Sequence, residues 1–366
     1  MKKIVLLLLT AAPFISSTAQ DKTEPFMVKT FPASSIKSLE SETSGGHITV
    51  TGGTGSEAKV EVYIRASNGN KTFSKAEIQK KLDEDYELTV SESGGKLKAI
   101  AKRKNRNDNW NDGLSVSFTC FTPTAISTDL STSGGHINLS GLTGNHKFST
   151  SGGHMELNQL KGKINGSTSG GHINVKNSSD DIRLTTSGGH ITAESCNGNI
   201  TLSTSGGSLN LSGLSGKIHA STSGGNVKGN TIKGELDAGT SGGNVTLTDL
   251  SCDVEAHTSG GNITVQVKEP GQYITLHNSG GRVELQIPGK KGYNLDLSGK
   301  VKVGTLTNFS GDTGEDYMRG TLNGGGTNVS GASTCVTTTG LGFPIPPCLP
   351  KRIRPGRSDV RRCHRV

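Results

Sequence analysis

Between residues 132 and 281 apolar and polar positions return at a fixed interval. The tetrapeptide Thr-Ser-Gly-Gly begins at Thr132, Thr150, Thr168, Thr186, Thr204, Thr222, Thr240 and Thr258, eighteen residues apart each time. An altered copy, Asn278-Ser279-Gly280-Gly281, follows after twenty. Counting each Thr as position one, position six is always apolar, as in Ile137, Met155, Ile173 and Ile191. Position eight is mostly so (Leu139, Leu157, Val175), which makes an alternating pair with one face buried. Positions fifteen and seventeen repeat the pattern, as in Ile182 with Leu184 and Ile200 with Leu202. Position eleven, between the two pairs, is usually Leu, Ile or Cys, with Ser178 as the exception. Each repeat therefore predicts two short strands and two turns, and no helical period appears in it.

Two strands of about six residues cannot bury an apolar face alone, whereas stacked copies can. Identical positions match best when they lie directly above one another, so the expected fold is an all-β, parallel β-solenoid. Its coils are eighteen residues long with two strands each, and the rule for parallel crossovers predicts a right-handed coil. An antiparallel meander of hairpins is the less suitable alternative.

Outside the repeat the pattern divides the chain. Residues 1–20 read as a secretory signal peptide: Lys2 and Lys3, an apolar run from Ile4 to Leu9, then Ser17-Thr18-Ala19 at a cleavage site. After its removal no stretch is long enough to span a bilayer. Residues 21–130 are β-rich but out of phase, and read as irregular first coils plus a cap. They contain one isolated copy of the signature, Thr43-Ser44-Gly45-Gly46-His47-Ile48. They also contain a capping-box pattern, Ser74-Lys75-Ala76-Glu77, which predicts a short helix ending near Leu82 or Glu84. Residues 131–283 are the regular solenoid and 284–334 a closing β cap, with Leu322-Asn323-Gly324-Gly325-Gly326 resembling the start of one more turn. The tail, 335–366, rich in Pro and Arg and without alternation, reads as disordered and as a candidate frameshift product.

Composition alone points the other way. Gly is 52 of 366 residues and aromatics are 4%, a profile that leans towards disorder. The period overrules it, because small residues at turns and slim aliphatics inside are what a narrow coil needs. The net charge of +8 suggests nucleic acid as a partner. However, the tail from Cys335 carries seven cations against one acid and the leader carries Lys2 and Lys3, which leaves the body neutral. No nucleic-acid partner is expected. Cys120, Cys196 and Cys252 are expected as free, buried thiols, with no Cys-x-x-Cys and no zinc spacing.

The chemistry concentrates at position five, which faces outward: His136, His154, His172, His190, then Ser208, Asn226, Asn244 and Asn262. In a parallel stack the four His form a column. Such a column can share a metal, with His154, His172 and Glu156 as the candidate ligands. Equally, it can be a polar ladder bonded to the turn backbone, as the replacement of His by Asn in register suggests. A polar loop from Arg103 to Gly113 carries Trp110, read as a solvated hairpin loop or as a ligand contact. No cofactor is expected.

The signal peptide, the out-of-phase β region with one helix and the iterated Thr-Ser-Gly-Gly-His/Asn-Ile-x-Leu together resemble the bacterial β-strand-repeat "putative adhesin" family, domains of unknown function from cell-envelope proteins. Phrases such as Leu139-Ser140-Gly141-Leu142-Thr143-Gly144 carry the likeness. What the resemblance implies is an exported, single-chain solenoid at or near the bacterial cell surface, with no catalytic residues to transfer. The leading expectation is a non-enzymatic adhesion or scaffold module with an envelope, protein or glycan partner, in the periplasm, on the outer membrane surface or outside the cell. The alternatives are a glycan- or metal-binding module using the His column, and an enzyme acting on polysaccharide.

Overall fold

In the computed structural model the chain is described over residues 24–53, 55–67, 73–104, 113–299, 302–303, 308–332 and 334–339. The signal peptide, Trp110 and residues 340–366 lie outside them. Over the described residues the fold is a β-solenoid of about nine turns with one α-helix.

The eighteen-residue period is the stacking period. Ile173 pairs in parallel with Met155 on one side and with Ile191 on the other. Ile182 pairs likewise with Ile164 and Ile200. One column of strands carries positions six and eight, the other fifteen and seventeen. Both point their aliphatic side chains into one narrow, continuous interior. Phe148 is the large side chain of this spine, and it fits because the next coil has Gly166 at the same position. A Cβ there would stand 2.2 Å from the Phe148 ring. Ser178, the polar exception at position eleven, is buried but satisfied: its hydroxyl donates to the Lys176 carbonyl and accepts from the Leu160 N–H. Cys120, Cys196 and Cys252 are free and buried, and burial pushes the thiols of Cys120 and Cys252 up to about 12.

The isolated signature at Thr43 turns out to be a full coil. Strands Ser38–Thr43 and Ile48–Gly53 stack in parallel on Ser127–Thr132 and on the start of Ile137–Thr150, so Ile48 lies against Ile137. The intervening chain leaves this coil and covers its open edge. Lys96–Arg103 adds to Ser38–Thr43 and pairs with Tyr86–Ser93 in a hairpin. Leu114–Pro123 adds to Ile48–Gly53, followed by antiparallel Glu57–Ala66 and then Met27–Pro32. The helix, Lys75–Asp85, closes this cap with both capping-box bonds formed at Ser74 and Glu77.

The other end is built the same way. Thr327–Ala332 stacks in parallel on Tyr273–Asn278, and Thr334–Thr339 on Val283–Pro288. The extra turn foreseen at Leu322–Gly326 is therefore real, and it continues through Cys335, past the boundary expected there. Tyr293–Ser298 adds in parallel to Thr327–Ala332, and Tyr317–Leu322 and Phe309–Thr313 then end the stack in antiparallel pairs.

Candidate functional site

The turn Thr-Ser-Gly-Gly-His fixes the position-five column residue by residue. The Thr hydroxyl is buried. That of Thr186 donates to the Gly171 carbonyl of the coil before and accepts the Gly189 N–H of its own turn. The second glycine passes so close to its predecessor that a Cβ on Gly171 would stand 1.8 Å from the Gly153 oxygen. Position five then projects outward with its N–H aimed along the stack, and the same position one coil earlier accepts it.

His154 N–H donates to His136 Nδ1 at 2.8 Å, His172 N–H to His154 Nδ1 at 2.8 Å and His190 N–H to His172 Nδ1 at 2.9 Å. Ser208 N–H donates to His190 Nδ1, and further along Ser208 Oγ, Asn226 Oδ1, Asn244 Oδ1 and Asn262 Oδ1 take the same role. The shared property of His, Ser and Asn here is an acceptor atom, which explains why they interchange in register. The column also has a member that the constant spacing did not reveal. His47 accepts the His136 N–H at 2.9 Å and stacks on its ring, so five imidazoles lie 4.8 to 5.0 Å apart and nearly parallel. The signal was present in the signature at Thr43, but the intervening insertion hid the phase.

With Nδ1 accepting, the ring proton sits on Nε2, and the column shows a row of N–H donors to solvent. Burial, and then the neighbouring imidazoles His154 and His190, hold His172 below the usual range. Burial, His136 and Arg65 do the same to His47. Ligation of a metal through Nε2 requires the proton to move to Nδ1, against a backbone N–H. Glu156, on the same sheet face, accepts from the Asn174 side chain. Among the described residues no group of three or more His, Cys, Asp or Glu is arranged to hold a metal.

At its N-terminal end the column runs into a notch. In the same cross-strand row His47 lies opposite Ser117, whose hydroxyl accepts the His47 N–H at 3.0 Å, and Ser117 lies opposite Tyr63. Small residues thus separate Tyr63 and Arg65 from the imidazoles, leaving a cavity of about 330 Å³. The Tyr63 hydroxyl donates to Glu61, whose carboxylate pushes its pKa up.

No family model and no curated protein matches this sequence. The solved structures include one described as "a putative cell adhesion protein from Clostridium sporogenes ATCC 15579". It covers 85% of this chain and 97% of its own at 10% identity and a TM-score of 0.17, too low to carry an argument. No helix among the described residues is long and apolar enough to cross a membrane.

Proposed function

We propose that this protein is a non-enzymatic, exported module of the bacterial envelope that adheres or scaffolds through the polar faces of its solenoid. The observation that carries the reading is the repetition of the surface. Outward side chains recur in straight columns at the strand spacing, and the His–Ser–Asn column runs unbroken from His47 to Asn262. A surface of repeated short polar groups suits weak contacts made many times over, and such contacts gain strength by multivalency. The partner this favours is itself repetitive, such as an envelope glycan.

The test is attachment of the purified chain to envelope fractions, compared with a variant lacking residues 168–203, two whole repeats. Because coils contact only their neighbours, the shortened stack should still fold. Its attachment should weaken by about tenfold or more if many weak contacts add. Attachment that ignores the number of coils, or turnover of a polysaccharide by the intact chain, would overturn the reading.

A further inference from the structure

We infer that the five stacked imidazoles from His47 to His190 are an acid-gated binding strip for an acidic glycan, a chain with a carboxylate on each sugar. The inference rests on the adhesive reading above and supplies its ligand class and its regulation.

Three features point to it. The first is what His adds to the column. At neutral pH every member has the same task, to accept the N–H of the next coil. Asn performs it as well: His172 N–H reaches His154 Nδ1 at 2.8 Å, and Asn262 N–H reaches Asn244 Oδ1 at 2.8 Å. An Asn amide also offers N–H groups to solvent, so neither the stack nor an outward donor requires an imidazole. What the imidazole alone brings is a charge that appears in mild acid. That property is confined to five members stacked in succession, while Ser208 to Asn262 stay neutral. The second is where the proton enters. Nε2 already carries hydrogen, so the free lone pair is at Nδ1, and Nδ1 holds a backbone N–H at 2.7 to 2.9 Å. An added proton there faces another N–H. The ring therefore gives up that bond and swings away from the turn, which brings both of its N–H groups to solvent.

The third is the charge around the strip. In the adjacent outward row Glu156 is the one carboxylate beside the five imidazoles, and it already accepts from Asn174. One row farther out Lys176 and Glu194 are paired at 2.8 Å. Tyr63 and Arg65 stand across the notch and add no negative charge, and Glu61 behind them pairs with Lys59 at 2.7 Å. On the other side the turn offers only Ser and Gly. Imidazolium ions 4.8 to 5.0 Å apart lie well inside the screening length of about 8 Å and repel one another. Burial, and then His154 and His190, already hold His172 below the usual range. A chain of carboxylates laid along the strip removes this repulsion, so protonation and binding favour each other. Repeated contacts along one line are also what multivalent attachment requires.

The experiment is calorimetric titration of the full chain with a galacturonic acid hexamer near neutral pH and again in mild acid, about pH 5, in buffers of differing ionisation enthalpy. An uncharged glucose hexamer is the reference. Affinity for the acidic hexamer should rise about tenfold or more in acid, with uptake of about one proton or more per complex. Affinity for the glucose hexamer should not change. His47→Asn, His136→Asn, His154→Asn, His172→Asn and His190→Asn together keep every acceptor and should abolish both the gain and the uptake. His154→Asn with His172→Asn should remove part of each, and is the deciding comparison if circular dichroism melts show that the fivefold variant has lost its fold. His219→Asn, on the other column of strands, should change nothing. Equal affinity under the two conditions, a gain without proton uptake, or a gain that survives the Asn replacements overturns the assignment. So does a thymidine hexanucleotide that binds as tightly as the acidic hexamer in acid. An acid gain for the hexamer without attachment to envelope fractions would sink the adhesive reading and leave the strip standing. Attachment together with no acid gain for the hexamer would do the reverse.

Discussion

At the scale of the residue, the repeat is a set of hydrogen-bond obligations. Each buried Thr hydroxyl serves a carbonyl of one turn and an N–H of the next, and Asn278 does the same with its amide in the altered copy. Thr186→Val should therefore leave the Gly171 carbonyl and the Gly189 N–H unpaired and lower stability by about 1–3 kcal/mol, read from the urea midpoint. Thr186→Ser keeps both bonds and should lose much less. His146 makes a different kind of demand. It is 2% exposed at an interior position, with Nδ1 against the Thr128 hydroxyl and Nε2 without a partner. Burial pushes its pKa down to about 4, so the unfolded chain binds the proton more tightly. Stability is then complete above about pH 6.5 and is lost as pH falls towards 4, by on the order of 3 kcal/mol for this group. His47 and His172 add to the same slope, since their pKa values are also lowered. Denaturation midpoints from pH 7 to 4 should fall less steeply for His146→Ile, and modestly less for His172→Asn, which keeps the acceptor.

At the scale of the element, the coil turns its corner by a conformation that the apolar pattern did not reveal. Position ten is left-handed in seven of the eight regular coils: Gly141, Gln159, Asn177, Ser195, Gly213, Thr231 and Asp249 all have φ between 51 and 67°, and only Val267 of the last coil departs. The sequence hint was a position restricted to Gly and polar residues, next to an apolar position eleven that must turn inward. Thr231 is the least suited of these, because a β-branched side chain crowds the backbone there. Thr231→Asn should stabilise the protein by roughly 0.5–1 kcal/mol, measured by thermal melting. The helix shows the opposite case. Its start was legible because the capping box is local chemistry, and the structure runs it from Lys75 to Asp85.

At the scale of the whole molecule, the problem is the two open ends of a parallel stack. Both are solved by an insertion in the chain whose first strands add in parallel to the outer coil and whose further strands close in antiparallel pairs, which covers the long parallel edges as templates for self-association. The N-terminal insertion leaves and re-enters at nearly one point, since the Thr124 N–H donates to the Gly53 carbonyl. Excising residues 54–123 and joining Gly53 to Thr124 should therefore preserve the coils but expose Ser38–Thr43 and Ile48–Gly53. Size-exclusion chromatography should show oligomers that the intact chain does not form. A monomer of unchanged stability would mean that the insertion does not protect the edge.

The architecture was readable from the sequence because one period sets both the spacing along the chain and the contacts across it. Ile173 had to meet Met155 and Ile191 once like covered like. The same logic failed where the period was interrupted. His47 and His136 are neighbours in the column although a whole cap separates them in the chain, and no spacing rule announces that. The notch is farther still from legibility: Tyr63, Ser117 and His47 share a row only because an antiparallel strand and a parallel one flank the same edge. Local and periodic chemistry is written in the chain itself. Contacts made across an insertion depend on how distant segments share a sheet edge, and only the folded stack decides that.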